Sequence, residues 1–343
     1  MKKSLFTTML ASAGLLLAML AATPAVHAEE TADPYAAYRD ALQGKKVGFV
    51  PISMGTDIVQ AFHSVMQRDA KDMGYDIVVR DPNWNIESGI QAINSLIAEK
   101  PDLLVVMNND TRSYNRVLRR ALQEGIPTIQ IQQNSETTTD AFIGTDFIHV
   151  GAQTAERLVA KCGQGSGTSG KIALIQGSLT GSASTLNLAG MQSVFEKHPE
   201  IEIVASQAVD WDATKAYSVT STILKQHPDL CGIAGFWDVE DVGTASAIRE
   251  AGLQGNVFLV TSGGGKQDSG CDKLISGDFS EYIIYNSAGA AHDLVNAMKM
   301  LLQAKTKPGS APFSLLSPGV LTTTDTVTAA SCWTQKRLDD SGY

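Results

Sequence analysis

Polar and aromatic side chains that could bind a small molecule stand where short apolar runs of the sequence end. Asp57 and Asn108 lie a few residues beyond two such runs, and Trp237 and Asp238 follow a third. Carboxylates and amides hydrogen-bond to vicinal hydroxyls, and the face of an indole stacks on the C–H side of a sugar ring. These residue types predict non-covalent capture of a small polar solute. The same run ends carry further polar residues, namely Ser53, Asn109, Asp110, Gln130, Gln132, Gln133, Asn134, Gln176, Ser178 and Ser262.

Covalent catalysis and metal binding have little support in the sequence. The histidines form no HExxH motif, and the sequence contains no GxSxG motif. The glycine-rich run from Gly165 to Lys171 resembles a phosphate-binding loop, but Ile172 stands where that motif needs Ser or Thr. The run also precedes a predicted strand instead of opening a helix. The sequence therefore predicts a protein without enzymatic activity, cofactor or bound metal.

The amino terminus predicts an exported protein. Lys2 and Lys3 precede an apolar stretch, residues 10–22, which leads to small residues before Glu29. This pattern is typical of a secretory signal peptide that is cleaved after Ala28. The predicted compartment is the periplasm.

Cysteine spacing and charge narrow the chemistry further. The four cysteines, Cys162, Cys231, Cys271 and Cys332, are too dispersed for a metal site. In an oxidising compartment they predict two disulfides, and three connectivities remain open. The formal net charge is −9, and Lys and Arg do not cluster along the chain. Nucleic-acid binding is therefore disfavoured.

The elements that must position these residues form an alternating pattern. From Lys45 onwards, β-branched runs alternate with amphipathic helical patterns, which predicts a parallel sheet covered on both faces. Predicted strands are 47–50, 76–79, 103–107 and 128–131, then 172–175, 201–205, 232–236, 257–260 and 278–285. Predicted helices lie between these strands, and a further one covers 288–302.

The pattern also restarts halfway along the chain. The sequence Lys-Pro-Asp-Leu at 100–103 precedes one predicted strand, and His-Pro-Asp-Leu at 227–230 precedes another in the second half. The chain beyond residue 28 has the length at which proteins divide into two domains. A duplicated α/β architecture is therefore predicted.

These residues resemble the type I periplasmic binding proteins of ribose, galactose and related sugars. The resemblance runs from about Lys46 to Ala304, and the order and spacing of its motifs carry it. The motifs are Met73-Gly74-Tyr75-Asp76, Lys100-Pro101-Asp102, Gly125-Ile126-Pro127, Ile143-Gly144-Thr145-Asp146, Gln176-Gly177-Ser178, Ser182-Ala183, Gly190-Met191, Asp210-Trp211-Asp212 and Trp237-Asp238 leading to Gly243.

The resemblance implies two similar, doubly wound parallel-sheet α/β lobes, joined by a three-segment hinge that closes around a ligand. The lobes are expected at 29–146 with 286–315 and at 147–285, followed by a hinge or tail segment at 316–343. That tail contains Cys332 and Trp333 and could brace the hinge through a disulfide. The family also implies a monomer that delivers its ligand to an inner-membrane ABC permease.

The resemblance also places the ligand-binding positions. They fall on Asp57, Asn108, Gln132 and Gln133 in the first lobe, on Asn187, Trp211, Trp237 and Asp238 in the second, and on Asn286 at the final crossover. Asn187 stands where sugar binders of this family usually have Arg, and Gly263 where they usually have Asp. A site without that charged clamp suggests a ligand other than ribose, such as a linear polyol, a deoxy sugar or a more apolar ring.

Three interpretations of the function stay open at this stage. The first is a transport receptor for a sugar or polyol, and the second is a periplasmic sensory carrier that uses the same clamp. The third keeps the clamp and changes the ligand to a small aromatic or apolar molecule, because of the tryptophans and the missing charges. Trp84 follows a predicted strand as well, but it lies in a loop before Asn85 and is the weakest tryptophan candidate. A transcriptional repressor of this fold is excluded, since a signal peptide occupies the place of its DNA-binding helices.

Overall fold

The computed structural model describes residues 33–304 and 306–341. The predicted signal peptide, residues 1–28, lies outside the described residues. The strands are β1 (Lys46–Val50), β2 (Asp76–Val79), β3 (Leu103–Val106), β4 (Thr128–Ile131), β5 (Ala141–Thr145), β6 (Lys171–Gln176), β7 (Glu202–Ala208), β8 (Gly232–Gly235), β9 (Phe258–Gly263), β10 (Glu281–Ile284), β11 (Phe313–Ser317) and β12 (Val320–Thr322).

The helices lie between these strands and at both ends of the described chain. They are α1 (Ala36–Asp40), α2 (Asp57–Met73), α3 (Ile86–Glu99), α4 (Asn115–Gln123), α5 (Phe147–Cys162), α6 (Ser182–Phe195), α7 (Ala213–Gln226), α8 (Asp238–Glu250), α9 (Asp272–Ile275), α10 (Ser287–Gln303) and α11 (Gln335–Ser341). A π-helical turn, Gln267–Cys271, leads directly into α9.

The first sheet has six parallel strands in the order β11-β5-β4-β3-β1-β2. Every residue of β3 and β4 is buried. Such continuous apolar runs are what a parallel sheet covered on both faces requires. Helices α2 and α10 pack against each other on this sheet, and Lys299 on α10 forms an ion pair of 2.7 Å with Asp69 on α2.

The second sheet repeats this arrangement in the order β12-β10-β9-β8-β6-β7. Its strands are parallel except for β12, which runs antiparallel to β10. The chain passes between the sheets three times, after β5, after β10 and between β11 and β12. Two similar α/β lobes were predicted from the sequence, and the structure confirms them.

The repeated Pro-Asp sequence has the same structural role in both lobes. Asp102 precedes β3 and accepts a hydrogen bond of 2.8 Å from Lys45 Nζ, beside the start of β1. Asp229 precedes β8 and accepts one of 2.8 Å from Lys171 Nζ, at the start of β6. Each aspartate therefore ties the entry of one strand to the entry of its neighbour.

Two disulfides are present, as the dispersed cysteines predicted, and the structure supplies their pairing. Cys162 bonds to Cys231 within the second lobe, where α5 ends and β8 begins. Cys271 bonds to Cys332, which fixes the chain after β12 to the π-helical turn. No helix in the described part of the chain is both long and apolar enough to cross a bilayer.

Helices α5 and α6 approach each other at two glycines, which yields a stability prediction. A methyl group at Gly190 would overlap backbone atoms of Ile148 and Ala152, and one at Gly151 would overlap backbone atoms of Asn187. Backbone atoms cannot move aside cheaply, so we expect Gly190→Ala to destabilise the protein by about 1–3 kcal/mol. Urea unfolding would measure the loss.

The neighbouring residue provides the control for this prediction. Ala189 is exposed on the same helix. Ala189→Val should cost less than about 1 kcal/mol, since it changes only helix propensity. Equal losses at Ala189 and Gly190 would show that the close approach of the helices contributes nothing.

Candidate ligand-binding cleft

A cleft opens where the carboxyl ends of the strands of the two sheets face each other. It has a volume of about 890 Å³ and adjoins a smaller cavity of about 50 Å³. Ligands of open α/β folds bind beyond the carboxyl ends of the strands, so this is the expected place for a site. Five residues line both spaces, namely Ile52, Thr56, Trp84, Trp211 and Trp237.

Three tryptophans from both lobes surround this space. Trp84 comes from the first lobe, where it follows β2, and Trp211 and Trp237 follow β7 and β8 in the second lobe. The ring centroids of Trp211 and Trp237 are 6.0 Å apart with the rings nearly perpendicular, and those of Trp84 and Trp237 are 6.4 Å apart. Edge-to-face pairs at such distances are favourable arrangements of aromatic rings. The three indoles form one aromatic wall that both lobes build.

Two glutamines supply the polar side of the smaller cavity. Gln132 Oε1 accepts a hydrogen bond of 3.0 Å from the amide of Thr145, while Gln132 Nε2 has no protein partner. Gln133 Oε1 is also buried without a protein partner. Buried amide groups need hydrogen-bond partners, so one free donor and one free acceptor at the cavity are what a hydroxylated ligand would satisfy.

Asn108 holds this polar side in place from behind. Its Nδ2 donates to Gln130 Oε1 at 2.8 Å and to the carbonyl oxygen of Gln133 at 3.0 Å. Asn108 is buried, and it is not among the residues that line either space. Its Nδ2 therefore supports Gln133, while its Oδ1 is buried without a protein partner.

Asp57 lies in the wider cleft and bridges the two lobes. Its carboxylate accepts a hydrogen bond of 3.1 Å from Lys266 Nζ, in the loop after β9, and one of 3.0 Å from Ser269 Oγ, in the π-helical turn. Two further contacts join the lobes, from the amide of Thr111 to the carbonyl of Thr180 at 3.0 Å and from the amide of Asn134 to Ser182 Oγ at 2.9 Å. The lobes are thus in contact across the cleft, and the arrangement is closed.

Asp238 is buried beneath the aromatic wall. Its carboxylate accepts a hydrogen bond of 2.6 Å from the hydroxyl of Tyr282 and one of 2.9 Å from its neighbour's amide at Val239. Burial raises the pKa of Asp238 to about 8. Its carboxyl group fills the space that a side chain at Gly263 would need. Glycine is therefore required at position 263, where Asp was expected, because the carboxyl group of Asp238 leaves no room for a side chain.

The two remaining predicted positions line neither space. Asn187 is buried on α6 against the backbone of α5, and its Oδ1 has no protein partner. Asn286 is exposed and caps α10, since its side chain accepts from the amide of Gly289. Of the nine predicted positions, Gln132, Gln133, Trp211 and Trp237 line the smaller cavity, Asp57 lines the wider cleft, and Asn108, Asn187, Asp238 and Asn286 line neither.

Several lining residues were not among the predicted positions. The wider cleft adds mostly polar residues such as Asn109, Ser178 and Thr180. In the smaller cavity, apart from Trp84, they are mainly apolar, and they come from strand ends, helix starts and the crossover into α5. They are Ile52, Thr56, Ile58, Met107, Phe147, Ala183, Phe236 and Tyr285. Their sequence signal is that of an ordinary core residue, so a pattern of polar residues cannot find them. Among the described residues, no group of three or more His, Cys, Asp or Glu is arranged to hold a metal ion.

Comparison with known proteins agrees with this architecture. The sequence model of the family described as periplasmic binding protein domain matches residues 47–306. The chain is 29% identical over 209 residues to the D-allose-binding periplasmic protein of Escherichia coli (strain K12). This alignment covers 58% of this chain and 66% of that protein. It is 25% identical over 231 residues to the D-apiose import binding protein of Paraburkholderia graminis, which covers 66% of this chain and 71% of that protein.

A solved structure shows the same fold. It is an ABC transporter periplasmic solute binding protein of Actinobacillus succinogenes with bound D-allose. The two structures superpose with a TM-score of 0.71 at 21% sequence identity, and the match covers 82% of this chain and 98% of that chain. The sequence alignment spans just under two thirds of the length of the first relative named above. The chain belongs to the periplasmic binding protein domain family.

Proposed function

We propose that this protein is a periplasmic sugar-binding protein of an ABC importer, and that it captures a small sugar or polyol by closure of its two lobes. One observation carries the proposal: indoles from both lobes and two glutamines with unpaired polar atoms surround one closed cleft. Relatives named for binding or importing D-allose and D-apiose support the ligand class. Of the ligand positions predicted from the sequence, we retain Asp57, Gln132, Gln133, Trp211 and Trp237, and we add Trp84.

The proposed mechanism couples binding to the lobe arrangement. We propose lobes at 29–146 with 286–315 and at 147–285, hinged where the chain passes between the sheets. A ligand that contacts both lobes has differential affinity for the closed form and therefore shifts the population towards it. The Asp57–Lys266 contact can form only in the closed form, and the importer would recognise the surface that closure creates. The mature chain would begin at Glu29 after cleavage of the signal peptide.

The test is a ligand screen on the mature protein, unfolded and refolded to remove any ligand that was purified with it. Thermal unfolding is recorded with pentoses, hexoses, polyols and aromatic acids. A ligand that binds only the folded state raises the melting temperature, and we expect a shift from at least one carbohydrate. A shift from aromatic acids alone, with none from any carbohydrate, would contradict the proposal.

A variant pair locates the binding event in the cleft. Trp211→Ala removes an indole from the aromatic wall and should weaken the binding of the identified ligand by about 30-fold or more, as for buried tryptophans at other interfaces. Met300 is exposed on α10, outside the lining of the cleft. Met300→Ala should leave the affinity unchanged in isothermal titration calorimetry.

A further inference from the structure

Each lobe contains one copy of a three-residue sequence, Asx-Trp-Asx, which the structure places at equivalent points. Asn83-Trp84-Asn85 follows β2, and Asp210-Trp211-Asp212 follows β7. The last residue of each copy caps the next helix: Asn85 accepts from the amide of Ser88, and Asp212 accepts from that of Lys215, both at 2.8 Å. The β2 and β7 strands occupy the same position, at the end of their sheets next to β1 and β6.

The two copies also share an unusual backbone. Asn83 and Trp84 have φ angles of +47° and +67°, and Asp210 and Trp211 have +54° and +63°. Residues other than glycine rarely adopt the left-handed region of φ, and two such residues in succession persist only where the surrounding structure holds them. In both lobes the result is the same: the indole is turned into the cleft, where it lines both the cleft and the smaller cavity.

Trp84 gives this repeat a role in closure. Trp84 is the tryptophan that the first lobe contributes, and its ring meets that of Trp237 across the cleft. At 40% exposure it keeps surface available at the edge of the wall. A ligand in the closed cleft therefore contacts indoles from both lobes. Because they surround this space, the three rings of the aromatic wall (Trp84, Trp211 and Trp237) are called the indole box below.

The chemistry of the box limits how many hydroxyl groups it can accept. In the smaller cavity the other lining residues are mostly apolar, and the unpaired polar atoms of its lining side chains are Gln132 Nε2 and Gln133 Oε1. The wider cleft is more polar, and both amide atoms of Asn109 are unpaired there. A buried hydroxyl without a hydrogen-bond partner is unfavourable, whereas a methyl group against an indole gains apolar contact. The part of a ligand that enters the smaller cavity therefore meets apolar surface and few partners, so a methyl or methylene group fits there better than a hydroxyl.

We propose that Trp84 is a specificity-determining residue and that the indole box selects a deoxy sugar over the parent sugar that carries every hydroxyl. The inference rests on the proposed function and narrows its ligand class. Trp84 acts by completing the box when the lobes close, so its contribution is specific to ligands with a large apolar face. A ligand with more hydroxyls gains less from the third indole.

The experiment compares matched pairs of sugars by titration calorimetry on the refolded mature protein. The pairs are D-fucose with D-galactose, L-rhamnose with L-mannose, and 2-deoxy-D-ribose with D-ribose. We expect the deoxy member of at least one pair to bind about 10- to 100-fold more tightly, the range by which an apolar pocket distinguishes a missing hydroxyl. If the parent sugar binds more tightly in every pair for which binding is detected, the inference is overturned and the proposed function stays intact.

The role of Trp84 is tested on the pair with the largest preference. Trp84→Ala should reduce the affinity for the deoxy sugar by tenfold or more and that for the parent by much less, so the preference shrinks. Trp84→Phe should restore part of it, because an aromatic face is kept. An unchanged preference in a Trp84→Ala protein that unfolds at the parental temperature overturns the role of Trp84. If no carbohydrate binds, the proposed function fails together with the inference.

Discussion

The protein is expected to be markedly less stable at pH 8 than at pH 5, because three carboxyl groups are buried in the first turn of α8. Asp238, Glu240 and Asp241 are all nearly inaccessible to solvent. Burial raises the pKa of Asp238 to about 8 and that of Asp241 to about 7, and it raises the pKa of Glu240 well above its usual range. The unfolded chain has ordinary carboxyl pKa values near 4.

The direction of the effect follows from proton binding. Between about pH 4 and pH 8 the folded protein holds protons on these carboxyls that the unfolded chain has lost, so raising the pH favours the unfolded chain. The stabilisation is fully present below about pH 4 and is lost as the pH rises through the folded pKa values. Since each unit of pKa shift corresponds to about 1.4 kcal/mol, the cluster should lower stability by several kcal/mol between pH 5 and pH 8.

The three carboxyl groups differ in how well the fold stabilises their charged form. Asp241 accepts hydrogen bonds from Thr261 Oγ1 at 2.5 Å and from Thr244 Oγ1 at 2.9 Å, and Asp238 accepts from Tyr282. Burial raises the pKa of Glu240 by more than the backbone amides of Phe236 and Trp211 lower it, and neither of its side-chain oxygens makes a hydrogen bond of normal geometry. Glu240 is therefore the group whose charged form is least compensated, although the positive end of the helix dipole is close.

A single substitution separates this cluster from the rest of the chain. Glu240→Gln keeps the shape and removes one titrating group, so it should raise stability at pH 8, change it little at pH 5 and flatten the pH profile. Urea unfolding at pH 5, 6, 7 and 8 measures all three effects. Glu124→Gln makes the same change at an exposed position and should leave the profile unaltered. Stability that is constant or rises over this range would contradict the burial argument.

The parallel strands were predictable because their burial leaves a direct mark on the sequence. β4 has the predicted limits, and β1 and β3 differ from prediction by one residue at one end. β5, by contrast, was not predicted as a strand. It contains Gly144 and pairs on one side with β11, which lies far along the chain. Its stability comes from a neighbour that no local pattern reveals.

The tail was unpredictable for the same reason. β11 and β12 are edge strands of two different sheets. No residue of β11 and only one residue of β12 is buried. An edge strand with few buried residues has no strong periodicity. Only tertiary pairing decides which sheet each strand joins.

The site was predictable where a residue's place beyond a strand decides its role. Trp211 and Trp237 were predicted because they follow strand ends, and both line the cleft. Trp84 was undervalued because it lies in a loop before Asn85, and residue types do not show that its left-handed backbone turns the indole towards the cleft as that of Trp211 does. Asn in the preceding position is a weak signal, since Asn tolerates this region better than most residues. Asn286 shows the opposite case: an amide at a helix start can cap the helix instead of contacting a ligand.

The carboxy-terminal tail links the two lobes a fourth time, and this leads to the last prediction. Trp333 is held to the second lobe, since its amide donates to Gly265 O at 2.8 Å and its Nε1 to Gly264 O at 2.9 Å. The next helix, α11, packs on α2 of the first lobe, where Leu338 is buried and Gln335 Nε2 donates to Ser64 Oγ at 2.8 Å. The Cys271–Cys332 disulfide is the covalent anchor of this strap, residues 332–341.

Removal of this disulfide should therefore have two effects. The bond joins cysteines 61 residues apart, and loss of the constraint on the unfolded chain costs about 4 kcal/mol for a loop of that size. We expect Cys271→Ala with Cys332→Ala to lower the free energy of unfolding by about that amount. The same variant should also loosen the strap, so that the ligand-free protein shows a larger radius of gyration in small-angle scattering.

The second disulfide is a matched control, because it closes a loop of similar size inside one lobe. Cys162 and Cys231 are 69 residues apart and both belong to the second lobe. Cys162→Ala with Cys231→Ala should lower stability to a similar extent and leave the radius of gyration unchanged. A strap that restrains the lobes predicts this difference between the two variants. Equal expansion in both, or in neither, would show that residues 332–341 brace the second lobe alone and have no influence on closure.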